Sequence, residues 1–488
     1  MTEGMGGSCT SSHAAPAGRE LERWARWPMT VIHHRLAATP VPRLSLVQHA
    51  PLAVALGLRV ASEGTANLGY ILIAAYALLG REHAVRALAL SWLFTLLSPG
   101  MAPDPSAAAL LRFVVLGTAA ASVAAHGLAR SHKIYPFTLG TGLLGLFIVA
   151  HSLLFSPMPA VSILKAVSWT VVMATLLSAW LGLSPLRRQA LAGELFWGLV
   201  AILVLSLPLL VLHLGYLRNG HGFQGILNHP QAFGPTMALL GAWAASRLFA
   251  EPRPPWRLVS VAGACLVLIL MSESRTAGLA MVFGVGLAVV IARALAGRPI
   301  RRVAPGLRNR RVWTVFAATL VAGLTLAPLV QSEVQRYIAK SDRVEVSGLI
   351  DAYNDSRGGL MDAMLANIAD KPMTGIGFGI ASDAMSMTVQ RDPILHLPIS
   401  ASIEKGVAPL AVLEELGIFG ALAVAWWVYT LLRRAARNGL APLAICITVL
   451  LLNMGESTFF SPSGLGLITL ILLGWAYASG PAPGRSHG

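Results

Sequence analysis

The side chains best suited to chemistry lie in a few polar segments that separate long apolar runs. One segment carries Arg218, His221, His229 and Gln231 among five glycines, within LGYLRNGHGFQGILNHPQAFG. An imidazole can move protons, and a guanidinium can bind anions. The glycines predict a non-helical loop, which a membrane tolerates only where the loop is buried in protein or lines a wet cavity. An ordinary surface loop is the alternative.

A second polar turn, SESRTAG, places Glu273 and Arg275 at the junction of two apolar runs. Arginine stays charged and presents a planar set of donors, and this geometry suits bidentate contact with phosphate oxygens. Arg275 is therefore a candidate clamp for a pyrophosphate, and two arginines from different helices could hold both phosphates. The alternative is that Arg275 extends from a helix end to the lipid headgroups.

The longest polar segment covers 331–406 and contains Arg357 in NDSRGG. Apolar residues recur at helical spacing over 360–368, which predicts a short helix. The run GIGFG then places Gly375 and Gly377 where backbone N–H groups could approach an anion or a sugar closely. A plain turn fits this run equally well.

The end of the same segment, ASIEKG, presents Glu404 and Lys405 just before an apolar run that begins at 407. The first turns of that run carry Glu414 and Glu415. A carboxylate held among arginines beside a helix is a candidate general base for a hydroxyl group. Alternatively, Glu404 pairs with Lys405 or caps the helix.

The composition shows which elements must position these groups. Of 488 residues, 55% are hydrophobic and only 12% are charged, with a mean hydropathy of +0.65. An average soluble domain is about 25% charged, and about 20 helical residues cross a bilayer. Backbone groups in lipid must be satisfied within each segment, so the spans are helices. We predict an all-α polytopic integral membrane protein with about 12–14 transmembrane helices and one large periplasmic loop between Gln331 and Gly406.

The chain divides into five predicted regions. These are a basic disordered cytoplasmic tail at 1–43, a transmembrane helical bundle at 44–330, a periplasmic loop domain at 331–406, C-terminal transmembrane helices at 407–479 and a cytoplasmic tail at 480–488. The first tail lacks the compact apolar core of a signal peptide. Apolar runs predict spans at 44–60, 66–79, 87–102, 107–128, 135–155, 160–183, 190–215, 231–249, 257–272, 276–292, 312–329, 407–432, 440–454 and 463–479.

The basic residues occur in short clusters between apolar runs, as the positive-inside rule expects of cytoplasmic loops. One predicted side receives Arg130 with Lys133, Arg187 with Arg188, Arg247 with Arg253 and Arg257, the arginines of 293–311, and Arg433 with Arg434 and Arg437. That side is predicted to be cytoplasmic, with both termini, so the loop 331–406 faces the periplasm. This distribution explains the net charge of +15 without a nucleic-acid partner. The three cysteines lie far apart and predict neither a disulfide framework nor a metal site.

The order of the polar segments resembles the O-antigen ligase and polymerase superfamily of bacterial envelope glycosyltransferases. The motifs that carry the resemblance are HPQAFG after a glycine-rich loop, SESRTAG, SRGG followed by GIGFG, and EKG ahead of VLEELGIFG. The resemblance covers about 190–479. The first third of the chain matches only as a set of spans.

This resemblance implies a metal-independent transferase without a cofactor, in the bacterial inner membrane, which acts at the periplasmic face. Its donor would be an undecaprenyl-pyrophosphate-linked oligosaccharide, moved en bloc to a hydroxyl of an acceptor glycan. Flippase and chain-length-regulator proteins would be partners. By motif, Arg275 and Arg218 would hold the pyrophosphate beside Arg357, and Glu404 or His229 would take the acceptor proton. Further substrate-binding positions would be Lys405, Gln231, Gly375 and Gly377.

One departure from the superfamily bears on the reaction. Lipid A core ligases of this group carry a histidine, in an HN-type motif, at the place that Glu404, Lys405 and Gly406 fill here. The departure favours a polymerase of O-antigen or exopolysaccharide repeat units over a ligase. A transporter or flippase of lipid-linked glycans is the alternative from another class, and Lys165 inside a predicted span is its one indication.

Overall fold

The structure, a computed structural model, describes residues 46–126, 135–216, 222–297, 299–310, 312–314, 349–385, 387–391, 398–401 and 405–480. Within these ranges, nothing is described of the side chains of 46–48, 135, 349–358 and 399–401. The predicted N-terminal tail, residues 481–488 of the predicted C-terminal tail and most of the predicted span 312–329 lie outside the described residues.

Helices account for nearly all of the described secondary structure. The helices are α1 Leu46–Ala61, α2 Glu63–Ala77, α3 Arg81–Leu96, α4 Ala108–Ala125, α5 Tyr135–Phe155, α6 Pro159–Gly182, α7 Pro185–Ser206, α8 Pro230–Ala250, α9 Trp256–Met271, α10 Arg275–Ala296, α11 Ile300–Val303, α12 Leu349–Asp370, α13 Ala408–Asn438, α14 Leu440–Leu452 and α15 Leu465–Ala478. Short 3-10 turns occupy Leu207–Val211, His213–Tyr216 and Pro305–Arg308. Two short strands, β1 Val389–Arg391 and β2 Pro398–Ala401, pair in antiparallel fashion.

Six of the described helices are long and apolar enough to cross a membrane, namely α4, α5, α6, α7 with the 3-10 turn that follows it, α10 and α13. Shorter apolar helices lie at His49–Ala61, Trp256–Met271, Leu440–Leu452 and Leu465–Ala478. The chain is therefore a helical, multi-pass membrane protein. A helix lies at every predicted span that the structure describes. The number of crossings, about 12–14, stays a prediction.

The residues at the helix ends explain where several helices begin and stop. Pro159 and Pro185 occupy the first turns of α6 and α7, where an N–H group has no partner inside the helix. Ser184 caps α7 because its hydroxyl accepts the Arg187 N–H at 3.4 Å. Helix α10 stops at Gly297, whose φ of 66° is left-handed.

The core joins the first third of the chain to its last helix. Trp169 and Trp180 of α6 are fully buried. Helix α15 approaches α6 closely because Gly474 leaves room for the Trp180 ring, which lies 3.0 Å from where a Cβ would stand. Phe137 of α5 stacks on Tyr477 of α15, with ring centroids 4.2 Å apart. The C-terminal helices are therefore part of the central packing.

One end of the bundle collects most of the polar connections, and we call it the loop end. Among the described residues it comprises 97–107, 207–229, 272–274, 371–407 and 453–464. Backbone hydrogen bonds join these segments: Ser98 N–H to Ile226 O at 2.9 Å, Phe223 N–H to Met271 O at 2.9 Å, and Ser457 N–H to Lys405 O at 3.2 Å. The predicted functional segments thus share one end of the molecule.

The opposite end, which we call the basic end, comprises the turns 78–81, 183–188, 251–256, 297–310 and 438–440. Arg86 bonds the Glu194 carboxylate there at 2.7 Å. The buried Arg188 guanidinium donates to the carbonyl oxygens of Leu183 and Ala478. The segment 300–310 folds onto the end of α8, since Asn309 Nδ2 donates to Pro252 O at 2.8 Å.

Candidate functional site

A cavity of about 270 Å³ lies between α3, α4 and α6, where they meet β2 and the 453–464 segment. Its apolar lining includes Leu88, Phe113, Leu116 and Leu164. A second set of lining residues carries hydroxyl groups: Ser91, Thr95, Ser168, Ser457, Ser461 and Ser463. The cavity therefore presents both polar and apolar surface.

Two cationic side chains also line this cavity, Arg112 from the first turns of α4 and Lys165 from α6. Within the described part of the chain, neither side chain forms an ion pair within 4.0 Å. The Nε atom of Arg112 is buried without a hydrogen-bond partner among the described residues. The cavity is thus lined by two basic side chains from different helices, and no described carboxylate lies within ion-pair distance of either.

The GIGFG run closes over Lys165. The Phe378 ring centroid lies 5.2 Å from Lys165 Nζ, which is a cation–π distance. A Cβ on Gly379 would stand 2.6 Å from Lys165 Cδ, so only glycine allows the backbone to pass this close. Phe378 is 1% exposed. The loop therefore packs against the lysine side chain of α6.

A buried charge cluster attaches that loop to α13. Lys405 Nζ lies 2.6 Å from Glu414 Oε2 and 3.2 Å from Glu415 Oε1, and all three residues are almost fully buried. Glu415 Oε2 accepts the Gly379 N–H at 2.7 Å. Asn367 of α12 donates to Glu414 Oε1 at 2.7 Å. The cluster therefore connects α12, the GIGFG run and α13.

Lys405 also reaches the cavity through its backbone. Its carbonyl oxygen accepts the N–H of Ser457, which lines the cavity. The side chain of Lys405 has its partners in Glu414 and Glu415, and these contacts give it a structural role. Its predicted contact with substrate stays a prediction.

The structure brings His229 and Gln231 together at the start of α8. His229 caps this helix because its Nδ1 accepts the Gln231 N–H at 3.0 Å. The Gln231 side-chain oxygen in turn accepts from the Ser274 hydroxyl at 3.3 Å. The first and second predicted polar segments therefore touch each other. Because Nδ1 accepts this bond, the neutral ring carries its proton on Nε2.

Arg275 begins α10 and is partly buried. The next residue, Thr276, lies against Gly455 of the 453–464 segment, where a Cβ would clash with its side chain. That segment supplies three of the serines that line the cavity. The second polar segment thus contacts a segment that forms part of the cavity wall, but its own side chains do not line the cavity.

The glycines of the GIGFG run have left-handed or extended positive φ angles, 65° at Gly375 and 112° at Gly377. A Cβ on Gly375 would stand 2.6 Å from the Glu414 carbonyl oxygen, and one on Gly377 would stand 2.8 Å from Ser156 Cα. Close packing against the protein's own backbone explains both glycines. Their predicted role in substrate binding stays a prediction.

Several predicted site residues lie outside the description. Arg218, His221 and Glu404 fall in segments that the structure does not describe. Arg357 lies within α12, where the structure describes its backbone but not its side chain. The predicted pyrophosphate clamp and the predicted general base therefore stay predictions.

Sequence reasoning missed Arg112 as a site residue and noted Lys165 only as an isolated charge in a span. No motif marks either residue. The available signal was the rarity of a cation within an apolar run, since charged groups inside transmembrane helices mostly face a cavity or a partner. The residues that share their cavity are far apart in sequence, so their proximity required the fold.

Among the residues that the structure describes, no three His, Cys, Asp or Glu side chains lie together in a way that could hold a metal ion. The basic side chains of the described site can bind anions, and its hydroxyl groups can bind sugars or phosphates. A search of protein-family models finds no match to this chain, and a search of curated proteins finds no significant similarity either.

Proposed function

We propose that this protein is a membrane glycosyltransferase that moves an undecaprenyl-pyrophosphate-linked oligosaccharide to a hydroxyl of an acceptor glycan. One observation carries the proposal. The polar segments come together at the loop end, beside a cavity that lies between membrane helices. A lipid-linked donor needs an apolar approach for its chain and polar contacts for its head, and the cavity lining offers both.

The order of motifs in 190–479 supports the same proposal, because it resembles the O-antigen ligase and polymerase superfamily. The departure at Glu404, Lys405 and Gly406 favours the polymerisation of O-antigen or exopolysaccharide repeat units. A ligase that transfers the glycan to lipid A core is the alternative within this class.

In the proposed reaction the acceptor oxygen attacks the anomeric carbon of the donor sugar, and the bond from that carbon to the pyrophosphate oxygen breaks. Cations near the pyrophosphate stabilise the charge on the departing group. The proton of the acceptor hydroxyl goes to a base, for which Glu404 and His229 are the candidates. Because pyrophosphate is a good leaving group, a weak base suffices.

We place the basic end in the cytoplasm and the loop end in the periplasm of a bacterial inner membrane. The positive-inside rule supports this orientation, since the exposed arginines of 293–310 lie at the basic end. Flippase and chain-length-regulator proteins are the expected partners of a polymerase on the periplasmic face.

Glycan analysis tests the proposed function. The gene is deleted and complemented with the wild type, Arg275→Ala, or the control Arg253→Ala, which changes an exposed arginine of the basic end. Restoration of a chain-length ladder by the wild type and the control, but not by Arg275→Ala at equal protein level, is the expected result. Long undecaprenol-linked chains left unattached after deletion would indicate a ligase.

A lipid-linked glycan transporter is the second candidate, because Lys165 lies inside a described span and lines a cavity. This function predicts that deletion traps lipid-linked repeat units in the cytoplasmic leaflet. Single repeat units that accumulate on the periplasmic leaflet after deletion would instead contradict transport and support the polymerase.

A further inference from the structure

The deeply buried cations among the described residues have polar partners within the protein, whereas Arg112 and Lys165 are partly buried. Arg59 donates to the carbonyl oxygens of Phe94 and Pro103. Arg86 bonds Glu194 and Glu82, and Lys405 bonds Glu414 and Glu415. Buried charges are stable only when they are paired in this way.

Arg112 and Lys165 are different, because both line the 270 Å³ cavity without an ion-pair partner in the part of the chain that the structure describes. Two like charges beside one cavity repel each other, so an anion bound between them would be stabilised by both.

We propose that Arg112 and Lys165 form a binding site for the phosphate groups of a polyprenyl-type lipid. A phosphate offers several acceptor oxygens, and the guanidinium, the ammonium and the hydroxyl groups of the lining can all donate to them. This assignment adds an anion site, formed by side chains of α4 and α6, to the predicted clamp of Arg275 and Arg218.

The apolar side chains of the same lining favour a lipid as the source of the phosphate. Leu116, Leu164 and Val172 are in the cavity wall with the two cations, so the site can contact a hydrocarbon chain as well as an anion. The volume of about 270 Å³ is near the lower end of the ~300–1,000 Å³ of small-molecule pockets. It suits a phosphate-bearing head, and a glycan on that phosphate would extend beyond the cavity.

Lys165 is held ready for this role by the GIGFG run. Its ammonium lies over the Phe378 ring, and the Gly379 backbone lies against its stem. A side chain positioned before binding loses less conformational freedom when the ligand arrives. The identification of the lipid as the glycan carrier rests on the proposed function, whereas the phosphate site itself rests on the cavity.

Direct binding to the purified full-length protein in detergent tests the site. The probes are farnesyl diphosphate, as a short soluble polyprenyl diphosphate, and inorganic pyrophosphate. The variants are Arg112→Gln, Lys165→Gln and the double variant, with Lys165→Arg as the charge-conserving change. Arg187→Gln is the matched control, because it removes an exposed arginine of the basic end. Size-exclusion profiles identify the variants that keep the fold.

We expect each neutral substitution to weaken the affinity for farnesyl diphosphate by roughly tenfold. Lys165→Arg and Arg187→Gln should bind nearly as the wild type does. An unchanged affinity in a folded double variant would overturn the site. Equal affinities of the wild type for farnesyl diphosphate and pyrophosphate would overturn the lipid as the source of the phosphate.

Glycan analysis in cells separates this inference from the proposed function. Binding that depends on Arg112 and Lys165, in a protein whose deletion leaves cellular glycans unchanged, would retain the phosphate site and contradict the transferase. Normal glycan product from the double variant would retain the transferase and overturn this site.

Discussion

At the scale of single residues, Lys405 shows how a buried charge depends on its partners. Its ammonium contacts Glu414 and Glu415, and the side-chain exposures of Lys405 and Glu414 are 1% and 0%. Lys405→Met leaves two carboxylates buried together, and removal of one member of such a pair costs about 3–5 kcal/mol. Thermal unfolding of the purified protein should show a clear loss of stability.

The charge balance of this cluster suggests the control. Lys405→Met combined with Glu414→Gln removes one charge of each sign and should recover part of the stability lost in the single variant. If Lys405→Met unfolds at the temperature of the wild type, the ion pairs contribute nothing to the fold.

His229 offers a way to separate capping from catalysis. Asparagine is a good N-cap residue and has no basic nitrogen, whereas alanine supplies neither function. If His229 acts only as the cap of α8, His229→Asn keeps both stability and glycan product, and His229→Ala loses about 1 kcal/mol of stability.

Loss of glycan product without loss of stability in His229→Asn would identify His229 as the base. A His229→Asn protein that unfolds like the wild type but yields no glycan product requires an imidazole at this position. The measurements are thermal unfolding and the chain-length ladder in complemented cells, made on the same variants.

At the scale of elements, Gly417 joins α13 to the segment before the GIGFG run. Its φ of 65° interrupts the regular helix, and the N–H of Ile418 donates to Pro372 O at 3.0 Å. A Cβ at Gly417 would clash with the backbone of Met373. Because the neighbouring atoms belong to the backbone and not to a flexible side chain, they could not easily move away. Gly417→Ala should therefore release the 371–380 loop from α13.

Limited proteolysis measures this release, with cleavage near Lys371 expected to be faster than in the wild type. Gly286→Ala is the control, since a Cβ there meets nothing within 4 Å. Equal cleavage rates in Gly417→Ala and the wild type would show that the loop is held by the Glu414 and Glu415 contacts alone.

Helix positions were readable from the sequence because apolar runs have a length set by the bilayer, and the structure has a helix at each described run. The helix over 360–368 was also predicted from its apolar spacing and is confirmed within α12. The cavity could not be predicted from the sequence. Arg112 and Lys165 line one cavity only through the packing of α4 and α6, and no local pattern in the sequence encodes that packing.

At the scale of the whole molecule, the two ends of the bundle should lie on opposite sides of the membrane. Met385 at the loop end is 97% exposed, and Leu186 at the basic end is 81% exposed. In a Cys9→Ser background, Met385→Cys should react with a membrane-impermeant maleimide in intact spheroplasts. Leu186→Cys should react only after permeabilisation, because the positive-inside rule places the basic end in the cytoplasm.

The buried positions of Cys265 and Cys446 keep the native background low in this assay. Labelling of Leu186→Cys in intact spheroplasts, with Met385→Cys protected, would invert the proposed orientation and remove the loop end from the periplasm.

The cavity also has a consequence for biogenesis. Its cations belong to helices that are synthesised early, whereas Ser457, Ser461 and Ser463 come from the segment between the last two helices. Synthesis runs from the N-terminus, so Arg112 and Lys165 enter the membrane long before their surroundings are complete. A nascent chain halted before α14 would expose both cations in an unfinished bundle. Such intermediates are natural targets for membrane quality control. Chains truncated before α14 should therefore be degraded faster than the full-length protein.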